Sequence, residues 1–383
     1  MKNKRIHILF PLYDLSSGAI PNWLMGVLRR LDMQRFKVDF LIHNLSPGDY
    51  YEEARRLGAR IIMLKKPRSY WTYIPQFKKI LKEYGPYDVI HSHIGHLPLH
   101  LRIAAHCGVP HRIAHIHADF GKGATPSDWS LKNLAKRFFY QVLSPYWIAR
   151  YSTLVLSVSR EAAEASLGSY LPSIPRWEIL PCGIEFGAFK TAVNPGAVRQ
   201  ELGIPESAFV IGHAGRLEWE KNHFFLVKIV REINRHEPNM RLLLVGDGPL
   251  RAQIEAEAAK AGLSDKVIFT GLRSDVPRLM LGAMDAFVFP SHFEGLGIAL
   301  IEAQAAGLPC IISDKIVETA VVVQALVKRL SLNDPPSTWA AAASALKGVK
   351  SESARTEALR ILEKSLMNIE NNAAKLQELY TAF

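Results

Sequence analysis

No stretch of this chain comes near the roughly 20 apolar residues that a membrane-spanning helix needs. Its longest apolar runs, such as Ala320–Val327 and Ala283–Pro290, are far shorter. The first residues also read poorly as an export signal. Met1–Ile6 is basic, but Leu9–Leu15 carries Pro11, Tyr13 and Asp14 and reads on as a strand and loop. Cysteine is scarce: Cys107, Cys182 and Cys310 lie far apart with no metal-ligand spacing. That excludes a disulfide framework and points to a reducing cytosol, with all three expected to be small buried hydrophobes. There is no low-complexity tract and no short-period repeat.

The remaining composition is that of a globular chain, with 48% hydrophobic and 22% charged residues, so neither disorder nor a coiled coil is indicated. At 383 residues it exceeds what one core serves. Two domains of about 190 residues are therefore expected. The net charge of +11 is unevenly placed. Residues 1–190 hold 26 Lys+Arg against 14 Asp+Glu, or +12, and residues 191–383 hold 21 against 22, or −1. A basic face confined to one half suits an anionic partner such as phosphorylated substrate or lipid head groups.

Short β-branched runs alternate with helical patterns, the mark of parallel α/β architecture. Strands are expected at Arg5–Phe10, Lys37–His43, Arg60–Leu64, Asp88–Ser92, Arg112–His117 and Thr153–Ser157, with a weaker one near Trp177–Leu180. Helices fit at Ile20–Leu31, Tyr73–Glu83, Pro98–His106 and Leu131–Arg150, and Thr191–Pro195 reads as a linker. The alternation restarts with strands at Phe209–His213, Arg241–Val245, Lys266–Phe269, Ala286–Phe289 and Cys310–Ser313. Helices at Phe224–His236, Pro249–Ala261 and Gly297–Ala306 intervene, and after Leu332 the pattern is wholly helical. Domains are thus expected at 1–190 and 191–360, with 361–383 a C-terminal helix packing back toward the first domain. Open parallel sheets bind ligands beyond their strand C-termini, so the chemistry belongs on the loops there.

The most informative segment is Ser291-His-Phe-Glu294-Gly-Leu296-Gly297-Ile298-Ala-Leu-Ile-Glu302. A strand ends at Pro290, a glycine-rich turn follows, and a helix starts near Gly297. Free N–H groups at such a start favour phosphate. One carboxylate can then face a sugar while the other reaches a ribose, since each carboxylate oxygen accepts hydrogen bonds from hydroxyls. In this context Glu294 and Glu302 resemble the signature of the family 4 glycosyltransferases with the GT-B fold. The resemblance implies that Glu294 contacts the donor sugar, that Glu302 binds the ribose, and that the amides of Leu296, Gly297 and Ile298 meet sugar and diphosphate. It spans the second half of the chain and, more faintly, the first.

A second segment, His213-Ala-Gly215-Arg216-Leu-Glu-Trp-Glu-Lys221-Asn222, is similar to the family's Gly-Arg-Leu…Lys-Asn element, whose Arg and Lys hold the donor diphosphate. Negative charge builds on the diphosphate as the sugar leaves, and two fixed cations can stabilise it. Val245-Gly-Asp-Gly-Pro249 resembles the family's strand-end glycine turn, and Phe269-Thr-Gly-Leu272-Arg273 the loop whose backbone holds the base. In the first half, Leu15-Ser-Ser17-Gly18 matches a loop that usually carries paired glycines near the diphosphate; here one is replaced.

Ten of the fourteen histidines fall in residues 1–190, with His91, His93, His96 and His100 after one strand and His115 and His117 ending the next. Metal binding is not expected: histidines two apart at a strand end are taken to diverge to opposite faces, and no carboxylate or cysteine completes a set. The family places a histidine facing the donor sugar at this strand end. His117 is the preferred match and His115 the alternative. Cations interleaved with aromatics at Lys65–Tyr73 and Lys132–Tyr151 suit contact with a membrane surface.

The resemblance implies a GT-B fold, two Rossmann-like domains facing across a cleft, the N-terminal one on the acceptor side and the C-terminal one binding nucleotide-sugar, with C-terminal helices closing over the junction. The absence of any Asp-x-Asp triplet argues against the metal-dependent glycosyltransferase fold. The run Gly307-Leu-Pro-Cys-Ile-Ile-Ser-Asp314, with Trp339, is similar to bacterial exopolysaccharide and capsule enzymes. The expected activity is retaining, metal-independent transfer of a hexose from a UDP-sugar to a glycan or lipid-linked acceptor. Glu294, His117, Arg216 and Lys221 would act at the reacting centre, with Gly18, Gly215 and Leu272 among the donor contacts. No cofactor and no nucleic-acid partner are expected, and the location is cytoplasmic, peripheral to the membrane. Two alternatives share the architecture. A nucleotide-sugar 2-epimerase would need acid/base carboxylates in the first domain, where Asp119 is the one clear candidate. A sugar-binding protein without turnover would not need the Glu294, Glu302, Arg216 and Lys221 set.

Overall fold

The computed structural model describes residues 5–43, 48–64, 70–93, 97–117 and 142–382. They fall into two compact units, Met1–Ile184 with Ile369–Phe383, and Glu185–Asn368.

The first unit is built on a seven-stranded sheet of order β3-β2-β1-β4-β5-β6-β7. Its strands are β1 Ile6–Leu12, β2 Phe36–Ile42, β3 Arg60–Met63, β4 Val89–Ser92, β5 His111–Ile116, β6 Leu154–Ser157 and β7 Trp177–Ile179. The second unit has a six-stranded sheet of order β10-β9-β8-β11-β12-β13. These strands are β8 Phe209–Ala214, β9 Met240–Val245, β10 Val267–Phe269, β11 Ala286–Phe289, β12 Cys310–Ser313 and β13 Val327–Leu330. Every named pair is parallel. Strands covered by helices on both faces need apolar side chains at every position rather than every second one. β8 and β11 are accordingly buried throughout.

The helices pack by their periodicity. His223–Asn234 buries Leu226, Val227, Ile229, Val230 and Ile233, a 3.6-residue stripe. That stripe shares a core with Leu242, Leu244 and Trp339. The Trp339 indole N–H would be costly to bury unpaired; it donates to the Ser331 carbonyl at 3.0 Å.

In each sheet the chain reverses direction of winding beside the first strand, between β1 and β4 and between β8 and β11. The loops following those strands are where a parallel sheet opens to ligand.

All predicted strands form, and the sequence reading omits β13. Its Val-Lys-Arg-Leu sequence pairs on one side only, with β12, so polar residues are tolerated there. The short helices Tyr51–Arg56, Arg160–Leu167, Pro195–Glu201 and Val276–Gly282 are also additions; about two turns carry too little periodicity to read. Asn194, in the expected linker, instead caps the third of these by accepting from the Ala197 amide. Of the expected helix Leu131–Arg150, the α-helix Ser144–Tyr151 is described, entered through a helical turn at residues 142–143; residues 131–141 lie outside the described residues. Cys182 and Cys310 are buried as expected, but Cys107 is exposed, because it follows the last turn of the helix Leu97–His106.

The C-terminal helix Ile369–Thr381 belongs to the first unit. Its buried Asn372 accepts from the Trp23 indole at 2.7 Å and donates to the Pro181 carbonyl at 2.7 Å. Close backbone approach makes this possible: a Cβ on Gly183 would meet Asn372 at 2.8 Å. Replacing Asn372 by Ala would orphan a buried donor and a buried acceptor, each costing about 1–3 kcal/mol. Asn372→Ala should therefore lower the urea midpoint of the first unit markedly, followed by tryptophan fluorescence, and an unchanged midpoint would show that this amide is not the anchor.

Candidate functional site

At the C-terminal end of β8 the chain must turn sharply past the end of β9. Gly246, at φ 136°, allows it: a Cβ there would lie 2.1 Å from the Gly215 carbonyl oxygen. The Gly215 amide donates to Val245 at 2.9 Å and the Gly246 amide to Gly271 at 3.0 Å, so the loops after β8, β9 and β10 are laced together. Past Gly215, the 3-10 turn Trp219–Lys221 ends at Asn222, which adopts the left-handed conformation (φ 56°, ψ 43°). Its side chain donates to the Pro290 carbonyl at 3.1 Å, and the His292 amide donates to Glu220 at 2.8 Å. The loop after β8 is thereby fastened to the loop after β11.

That fastening brings Lys221 to Glu294. The ammonium donates to both carboxylate oxygens, at 2.7 and 2.8 Å. Glu294 is only 9% exposed and Lys221 20%. The ammonium also stands 5.2 Å from the centre of the Phe289 ring, on its face. Arg216 is 72% exposed and touches Glu218 through one nitrogen, leaving most of its donors open. Gly297, left-handed at φ 79°, caps the helix Ile298–Ala305, and Leu296 beside it is buried. The first-turn amides of a helix have no intrahelical acceptor.

Glu302 lies on that helix, partly buried, and has no side-chain hydrogen bond among the described residues. Burial pushes its carboxyl up to about 7. Leu272 is 80% exposed, next to an ion network in which Arg273 and Arg278 both contact Asp275 and Glu201. Behind Lys221, His213 and His223 lie edge to face at 4.8 Å. Burial, reinforced by the Lys221 charge, holds His223 down at about 4, so it stays neutral and adds no repulsion. The sequence does not point to His223, nor to the exposed Trp219 that stacks on His292 at 4.6 Å. Neither pairing has a sequence signal, since each depends on how two loops meet.

The second unit thus gathers Gly215, Arg216, Lys221, Glu294, Leu296, Gly297 and Ile298 on the loops at one end of its sheet, with Glu302 further along the same helix. Gly18 and the histidines belong to the first unit. Gly18 has extended backbone (φ 173°), and a Cβ would meet nothing closer than 3.9 Å. Its amide is already donated to Asn22 Oδ1 at 3.0 Å. Nothing within the unit calls for glycine there.

The expectation that His91 and His93, or His115 and His117, diverge is overturned. Strand residues two apart share a face, and the rings lie 4.2 and 4.3 Å apart. All four form one cluster across β4 and β5. His91 Nε2 is 3.3 Å from His115 Nδ1, and His93 Nδ1 is 2.9 Å from His117 Nε2. His115 is fully buried, its Nε2 held by the Leu180 carbonyl at 2.9 Å. His117 is less buried, with Nδ1 3.4 Å from Cys182 Sγ, so of the two matches it is the one with access to solvent. Burial lowers all four well below the ordinary imidazole range, His115 to about 4. The Nε2 of His93 is buried with no partner among the described residues, which costs about 1–3 kcal/mol in a closed site. His96 and Asp119 lie outside the described residues, as do residues 65–69 and 118–141 of the two aromatic-cationic segments. No described helix is long and apolar enough to cross a membrane.

Comparison with known proteins follows the same division. Residues 196–374 match the family described as "Glycosyl transferases group 1", and residues 22–186 match "Glycosyltransferase Family 4". The chain is 33% identical over 349 residues to "Putative glycosyltransferase EpsF" of Bacillus subtilis (strain 168), covering 89% of this chain and 87% of that protein. It is 28% identical over 296 residues to the "UDP-Gal:alpha-D-GlcNAc-diphosphoundecaprenol alpha-1,3-galactosyltransferase" of Escherichia coli, covering 74% and 73%. Among solved structures, Anabaena Alr3699/HepE in complex with UDP superposes with a TM-score of 0.76 at 18% identity over 99% of this chain and all of that one. WaaG, a glycosyltransferase involved in lipopolysaccharide biosynthesis, has the same fold, with a TM-score of 0.76 at 18% identity over 98% and 100%. Two parallel-sheet units, a sequence match along nearly the whole length of a glycosyltransferase, and these structural neighbours establish that the chain belongs to the family 4 glycosyltransferases of the GT-B fold.

Proposed function

We propose that this glycosyltransferase moves a hexose from a UDP-sugar to a glycan or lipid-linked saccharide in exopolysaccharide or capsule assembly, with retention of configuration and without a metal at the diphosphate. The carrying observation is the Lys221–Glu294 pair together with the open Arg216 on the same loop as Lys221. Glu294 presents a carboxylate for a sugar hydroxyl. Lys221 spends two of its three N–H groups on Glu294 and keeps one for a phosphate oxygen. Arg216 and the amides of Leu296, Gly297 and Ile298 would share the charge that builds on UDP as the sugar departs. In a retaining, same-face route the acceptor hydroxyl loses its proton in part to that leaving phosphate. His117, neutral at physiological pH, would orient the sugar rather than act as an obligatory base.

UDP as carrier is supported by HepE, solved with UDP and with UDP-glucose. A lipid-linked acceptor is supported by the Escherichia coli relative, whose name specifies a diphosphoundecaprenol-linked substrate and UDP-Gal. The +12 charge of residues 1–190 suits a cytoplasmic membrane face where such an acceptor lies. A 2-epimerase reading has no first-unit carboxylate to rest on among the described residues of the histidine cluster.

Turnover should proceed without added Mg2+ or Mn2+. Arg216→Ala and Lys221→Ala should each lower it by two to three decades, about 3–4 kcal/mol of transition-state stabilisation. UDP release assayed with candidate lipid-linked acceptors checks this; near-normal rates in both variants, or dependence on either ion, would remove the assignment. Arg216→Ala should fold normally, whereas Lys221→Ala should also lose stability, because it strands the Glu294 carboxylate.

Glu302 makes donor binding pH-dependent. Ribose hydroxyls donate to the ionised carboxylate, but burial holds its pKa at about 7 in the free protein. Affinity for an intact UDP-sugar should be flat above that pH and weaken below it, approaching tenfold per unit as the proton must first leave. Titration calorimetry from pH 5.5 to 8.5 on wild type and Glu302→Gln tests the sign: the variant should lose the slope. Anionic vesicles should bind the chain at low salt and release it at high salt in co-sedimentation, with neutral vesicles binding little.

A further inference from the structure

The histidine cluster of the first unit is larger than the proposed function uses, which calls on His117 alone. His91, His93 and His115 each bring one ring nitrogen within 4.8 Å of the others, and all three are buried. Proton accounting decides what they can do. His115 Nε2 faces the Leu180 carbonyl, which only accepts, so Nε2 carries the proton and Nδ1 is a bare lone pair. His91 Nδ1 lies 2.6 Å from the Tyr380 hydroxyl and His93 Nδ1 2.9 Å from His117 Nε2.

Two assignments remain. In the first, Tyr380 donates to His91, His91 donates to His115, and the line ends on Leu180. His93 Nε2 then has no partner among the described residues. In the second, every ring donates outward: His91 Nδ1–H to the Tyr380 oxygen, His93 Nδ1–H to His117 Nε2, and His115 Nε2–H to Leu180. His117 in turn donates Nδ1–H to Cys182 Sγ, 3.4 Å away. Every outer partner is an acceptor, and three unprotonated nitrogens are left on the enclosed side. Histidines whose far nitrogen is fixed by a hydrogen bond while the near one is bare are how proteins hold transition metals. The 3.3 Å between His91 Nε2 and His115 Nδ1 is close to the edge of a tetrahedron with metal–nitrogen bonds of about 2.0–2.1 Å.

We propose that His91, His93 and His115 form a binding site for an imidazole-preferring transition ion, best matched by Zn2+, that ties the ends of β4 and β5 to the C-terminal helix through Tyr380. A set of imidazoles alone suits zinc or copper rather than Mg2+, Mn2+ or Ca2+, which take oxygen. The walls are aromatic: Trp23 stands edge-on to His115 at 5.1 Å and to His93 at 5.5 Å, and Phe10 lies 5.4 Å from His91. The three imidazoles would hold the ion, and its role would be to brace the unit.

Full-length protein purified from zinc-supplemented culture and dialysed should carry one zinc per chain by plasma mass spectrometry. His93→Ala and His115→Ala should lose it, while His106→Ala, at an exposed helix end outside the cluster, should keep it. Because cluster variants can fail to fold, the deciding measurement is on wild type. Metal-free protein should gain melting temperature with Zn2+ and none with Mg2+. Wild type that is zinc-free as purified and whose melting temperature Zn2+ does not move, or zinc that persists in both cluster variants, would overturn the proposal.

Discussion

A carboxylate as enclosed as Glu294 is costly to leave unpaired, and Lys221 supplies a cation with both oxygens engaged. Much of the second unit's loop architecture can be traced to that requirement. Lys221 reaches Glu294 because Asn222 takes a left-handed turn and hooks its amide on Pro290. The turn before it is set by Gly215 lying under Gly246, where a side chain would collide with backbone. Phe289 and the neutral His213 and His223 complete a floor that neither competes for the carboxylate nor repels the ammonium. The pair is thus held by backbone turns from three strand ends rather than by its own flexible side chains.

The first unit solves a different problem, the burial of polar rings. Trp23 is its common contact: its indole N–H ends on Asn372, and its ring edge closes over His91, His93 and His115. Asn372 and Tyr380, both from the C-terminal helix, then reach Pro181 and His91. The last fifteen residues therefore finish a core begun by the first thirty. This is why residues so far apart in sequence carry the unit's hydrogen-bond satisfaction.

What was legible follows from range. The parallel sheets could be read because strands buried on both faces are short continuous apolar runs, and β8, β11 and β12 begin at the residues expected. Lys221 and Glu294 could be picked out by motif, but their contact could not, since it spans 73 residues. The expectation for the histidine cluster fails for a geometric reason. Strand alternation puts 91 with 93 and 115 with 117 rather than apart, and parallel pairing of β4 with β5 sets His91 beside Ile113 and brings the two pairs together. The partners that fix their protons, Tyr380, Leu180 and Cys182, carry no local signal at all.

Hydrogen-bond accounting also separates loops that are set for a ligand from loops that are closed. In the second unit Lys221 retains an N–H, Arg216 retains most of its donors, and the amides at Gly297 and Ile298 open the helix. In the loop after β1, the Ser16, Ser17 and Gly18 amides are already donated to Asp14, Asp49 and Asn22. A phosphate approaching Gly18 must first displace the Asn22 oxygen, and gains only the difference between two acceptors. Charge favours the phosphate in that exchange, but a preformed donor always binds more cheaply than one that has to be released. The second unit's loops are therefore open to an anion as they stand, whereas the β1 loop is open only as far as Asn22 and Asp49 give way.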